Sequence, residues 1–122
     1  MSETDGDALA TFTLPPATGS GDRYKFVVGI VNTSNYVIKV ADASDTMDGN
    51  VITNSTGDTP DLAQPWPTAA DTDTITLNGT TSGGASIGDW IELIDIAADQ
   101  WAVSGITTSS GTEATPFSAT VS

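Results

Sequence analysis

Apolar residues fall on alternate positions in short runs along the chain, and Gly, Pro, Asn, Asp, Ser and Thr separate the runs. Alternation with a period of two is the mark of half-buried strands, and the breakers disfavour helix interiors. Ala10–Leu14 alternates and stops at Pro15-Pro16, and residues 17–22 read as a flexible turn. In 23–30, Tyr24, Phe26, Val28 and Ile30 share a face, and Tyr36, Ile38 and Val40 do so after a turn at 32–35. The two runs are expected to pair as a hairpin. A polar connection at 42–49 leads to a short strand near 50–53. No periodicity survives from 54 to 72, where Pro60, Pro65 and Pro67 mark the longest expected loop. Alternation resumes at 73–78, with Ile75 and Leu77 inward, before a glycine-rich turn at 79–88. Trp90–Asp95 and Gln100–Ile106 predict a second hairpin across 96–99. Apolar residues on both faces make 90–95 a central strand. A last strand at 116–121 aligns Phe117, Ala119 and Val121.

About eight strands at such spacings predict an all-β chain with a single β-sandwich or jelly-roll-like domain over 17–122. Residues 1–16 read as an extended N-terminal arm. Its Leu9, Phe12 and Leu14 have no evident local core, which suits strand addition to a neighbouring chain, with a frayed tail as the other reading.

Composition narrows the function. The chain has 122 residues, a length for one domain, with aromatic content of only 7%. The expected core is thin, and association of copies is a common remedy. Sixteen acids face Arg23, Lys25 and Lys39, a formal charge of −13. Phosphate backbones and anionic membranes call for clustered cations, so neither nucleic acid nor membrane is an expected partner. The acidic, polar residues at 1–7 do not read as a secretory signal, which points to synthesis in the cytosol.

Cys and His are both absent, which removes thiolate nucleophiles, Cys/His zinc sites, imidazole catalysis and His-based triads. Neither a catalytic residue nor a cofactor is expected. Asp42, Asp45 and Asp48 precede Gly49 and invite a calcium reading. Their spacing of three does not alternate like an EF-hand and no closing Glu follows, so a solvated turn is the plainer expectation. Asp71 and Asp73 could form an acid/base pair, but nothing around them suggests a sugar cleft. Trp90 and Trp101 lie in strands and suit core or subunit packing. Trp66, between Pro65 and Pro67, is open to two roles, a plug for the domain or an anchor for a partner. Asn32, Asn54 and Asn78 match the glycosylation sequon, a pattern that arises readily in a Ser/Thr-rich chain.

Four stretches carry a resemblance: residues 17–29, 70–84, 88–96 and 111–118. Their sequences are ATGSGDRYKFVVG, ADTDTITLNGTTSGG, GDWIELIDI and GTEATPFS, and together they resemble small structural proteins of tailed bacteriophages. In that group such chains are head decoration, or cement, proteins. The resemblance implies a homotrimer on the outer surface of the virion head that binds the major capsid protein and stabilises the shell. The alternative is a receptor- or glycan-binding module of a tail fibre or spike, with Trp66 and the 54–72 loop as reader. A module of a non-viral extracellular protein is a third reading.

Overall fold

In a computed structural model of the chain, which describes residues 10–55 and 63–121, nine strands form two sheets among the described residues. They are β1 (Ala10–Thr13), β2 (Arg23–Val27), β3 (Tyr36–Lys39), β4 (Thr46–Ser55), β5 (Ala63–Pro67), β6 (Thr74–Leu77), β7 (Trp90–Ala97), β8 (Gln100–Ser109) and β9 (Phe117–Ser118). One sheet runs β1-β3-β6-β9 and the other β2-β7-β8-β4-β5.

The hairpin of β7 and β8 lies at the centre of the larger sheet. Asp99 takes φ of +62° in its turn, a left-handed conformation that Asp tolerates. A bulge between Asp95 and Ala97 absorbs one residue. Beyond it the alternation is regular: Ile91, Leu93, Trp101 and Val103 face in and are buried. β7 is central, flanked by β2 and β8. Gly105 is required where β8 passes β7, because a Cβ there would sit 2.5 Å from the carbonyl oxygen of Trp90.

The inner faces of the two sheets enclose one core. Tyr36, Ile38, Ile75, Leu77 and Phe117 come from the smaller sheet, and Met47, Val51, Ile91, Leu93, Trp101 and Val103 from the larger. Phe12 on β1 meets Phe26 on β2 across the gap, with ring centroids 5.4 Å apart and planes tilted by 52°. Such a pair adds about 0.5–1.5 kcal/mol beyond its buried area. The architecture is a β-sandwich. Two parallel neighbours, β1–β3 and β4–β8, depart from the wholly antiparallel order of a jelly roll.

Three expectations are corrected. The runs at 24–30 and 36–40 do not pair as a hairpin. β2 pairs with β7, while β3 lies between β1 and β6 in the opposite sheet. The connecting loop crosses between sheets because its polar groups are satisfied internally. Buried Asn32 accepts from Ser34 N at 2.8 Å and donates to Asn35 O, and the Tyr36 hydroxyl donates to Ile30 O at 2.6 Å.

The N-terminal arm is, over 10–16, part of the domain. β1 pairs in parallel with β3 from Ala10↔Tyr36 to Thr13↔Lys39, and Leu14 is buried. Phe12 and Leu14 do have a core to join, formed by residues distant in sequence. Leu9 lies outside the described residues.

The 54–72 segment is not a loop throughout. Ala63–Pro67 forms the edge strand β5, antiparallel to β4. An edge is where prolines fit a sheet, since one side of the strand has no ladder to donate to.

Candidate interaction surfaces

The residues singled out as a partner interface are mostly internal. Leu14 is 3% exposed, and Phe12 and Trp66 are half-buried against the core. Val51 pairs with Trp66, so Trp66 projects to the inner face, and its Nε1 is buried with no acceptor among the described residues. That placement accords with the plug role, while the rest of the ring stays half-buried at the sheet edge. Trp101 is fully buried with its ring against Tyr24, centroids 5.9 Å apart. Trp90 points outward, with Lys25 Nζ 4.7 Å above its ring.

The carboxylates suggested as sites have separate structural tasks. Asp42 accepts from Ser44 N at 3.0 Å and from the Ser44 hydroxyl, which holds its carboxyl below the usual range. Asp45 is buried and accepts from Ala17 N at 3.1 Å; burial pushes its carboxyl up. Asp48 is exposed and accepts from Gln100 Nε2 at 3.2 Å. No three such groups converge among the described residues. Asp71 is exposed, whereas Asp73 is buried and accepts from the Thr74 hydroxyl and Val121 N, so the two stand in different environments.

Asp95 was not singled out in the sequence, yet it organises more backbone than any of these. Its carboxylate accepts from Thr18 N at 2.9 Å, Gly19 N at 2.6 Å and the Ser20 hydroxyl at 3.1 Å. Those bonds, the one to Thr18 N first, hold its carboxyl below the usual range. Residues 17–22, expected to be flexible, are therefore fastened to β7. Asp89 does similar work at the other end of the hairpin, accepting from Thr108 N at 2.9 Å and its hydroxyl at 3.0 Å.

With the polar clusters engaged in the fold, no cleft opens on the described surface. What remains available is the outer face of each sheet, and the two differ. On the smaller sheet the outward register rows read Thr11–Val37–Thr76 and Thr13–Lys39–Thr74–Ser118, a largely polar face in which Thr74 is itself buried and bonded to Asp73 and Thr120.

On the larger sheet one outward row crosses all five strands and is apolar throughout. It runs Val27–Trp90–Ile106–Ile52–Pro65, each residue the register partner of the next. Val27, Ile106 and Ile52 are 42%, 43% and 41% exposed. The sequence carries only a faint trace of this row. Val27-Val28 and Val51-Ile52 are adjacent β-branched pairs, which put one member on each face. The row itself exists only once the register is known.

No protein-family model, curated protein or solved structure matches the chain.

Proposed function

We propose that this chain is a non-enzymatic binding module, a decoration protein that sits on the outer surface of a bacteriophage head and braces the capsid subunits. The observation that carries the reading is the contrast between the cleft-free described surface, with its titratable clusters turned to structural tasks, and the open sheet face. A molecule built this way acts through broad surface contact, and exposed apolar patches mark such contacts. The composition supports it: a charge of −13 keeps an external protein away from packaged DNA, and without Cys the fold has no dependence on redox conditions. The sequence resemblance supplies the particle, with the major capsid protein as partner. The packing of Trp66 partly against the core favours decoration over the fibre reading.

Adding purified protein to heads that lack it tests the proposal. The expected result is saturable binding at a copy number comparable to that of the shell subunits, with greater resistance of filled heads to heating. Binding confined to tails, or none, refutes it.

A further inference from the structure

We propose that the outer face of the larger sheet is the surface through which two copies of this chain pair, related by a two-fold axis running along the strands. Three observations select a second copy as the occupant.

The first is charge. The outward positions of the five strands carry two cations, Arg23 and Lys25, and two carboxylates, Asp48 and Glu92. The face is thus formally neutral on a chain of −13. Copies so strongly like-charged repel over most of their surface, and least through this face.

The second is self-complementarity. Two rows along from the apolar row lies Arg23–Ile94–Ala102–Asp48, with the cation at one end and a carboxylate at the other. A two-fold axis between β7 and β8 exchanges the ends of that row, setting Arg23 of each copy over Asp48 of the other. Ile94 then lies over Ala102, and the same rotation lays Val27 over Ile52 and Trp90 over Ile106, with Pro65 outside the overlap. This is the isologous pattern, in which one patch is its own partner. The Arg23 side chain is 67% exposed and its one ion pair among the described residues, to Glu92, is long at 3.9 Å, so it has donors to give.

The third is area. Four strands overlap, β2, β7, β8 and β4, and at a spacing of about 4.8 Å over a length of roughly 20 Å they offer about 400 Å² per copy. The total of about 800 Å² lies at the small end of interface sizes, as for a weak dimer that forms with rising concentration. Two sheets meeting face to face also reproduce the aligned packing found inside sandwiches.

The pairing gives a dimer where the resemblance implies a trimer, and it assigns to a second copy the same sheet face on which the proposed function rests, but it is tested on protein alone, apart from head binding. Sedimentation equilibrium of the full chain, on the order of 1–100 μM, is the test. The wild type should form dimers. Ile52→Thr with Ile106→Thr keeps β-branched residues but removes two of the four apolar side chains in the overlap, and should leave a monomer with an unchanged circular dichroism spectrum. Arg23→Asp and Asp48→Arg should each weaken the dimer about tenfold, and combining them should restore it. A wild-type monomer throughout the range overturns the proposal. So does a trimer, or any oligomer that the threonine pair leaves intact, or a charge swap that fails to restore what its single members lost.

Discussion

The Asp95 carboxylate shows how a single side chain can take the place of secondary structure. Residues 17–22 form no strand, yet Thr18, Gly19 and Ser20 all donate to it, and Gly21 N donates to the Asp95 carbonyl at 2.9 Å. Asp45 performs a related task for Ala17, but with the opposite electrostatic sign. For Asp95, whose folded pKa is depressed, the stabilisation is full above the unfolded carboxylate value of about 3.9. It is lost as pH falls through the folded value. For Asp45, whose folded pKa is raised, the contribution is present below the unfolded value and lost as pH rises through the folded one. At pH 7 Asp95→Asn should therefore lower the melting midpoint by about 5–10 °C, because an amide offers one acceptor oxygen where the carboxylate offers two. Asp45→Asn should leave the midpoint unchanged or raise it, since the amide oxygen can still accept from Ala17 N without a buried charge. Thermal melts at pH 7 and pH 3 check both, and the Asp95→Asn deficit should shrink at the lower pH.

Among the elements, β1 departs furthest from what its sequence suggests. It is an edge strand in parallel register with β3, and it delivers Phe12 to Phe26 and Leu14 to the core. Leu14→Ala should cost about 2–4 kcal/mol, the range for a buried leucine, as measured by chemical denaturation. An exposed arm would show no such loss. The reason β1 was read as an arm also explains which other elements were legible. Alternation identifies a strand and its buried face, so Ile75, Leu77, Tyr36 and Ile38 were placed correctly. Residues 90–106 were legible as a hairpin because a short turn leaves two neighbouring strands little choice. Alternation does not say which sheet a strand joins. β2 and β3 have matching patterns and a turn between them, and only the partners β7 and β6, far along the chain, divide them. β5 was missed because its prolines erase the propensity signal that an edge strand can do without. The apolar row on the outer face was hidden for the same reason, since each of its five members comes from a different strand.

At the scale of the molecule, charge and topology each have a cost. Sixteen acids against three bases repel one another in the folded state more than in the expanded one. Raising sodium chloride from about 10 mM to 500 mM, which shortens the screening length from roughly 30 Å to a few ångströms, should raise the melting midpoint by several degrees. A midpoint insensitive to salt would mean that the acids are spaced too widely to matter. Topology sets a different cost, one of time. Along the ten-residue seam between β4 and β8, partners lie 54 positions apart, as Thr53 and Thr107 do, and β2 waits for β7 in the same way. Contacts of such long sequence separation place folding in the millisecond-to-second range. A ribosome making the chain releases β2, β4 and β5 before the hairpin that will join them into one sheet has been synthesised. Until β8 emerges, β2 and the joined β4 and β5 have open edges, and the nascent chain is exposed to pairing with its neighbours during that interval.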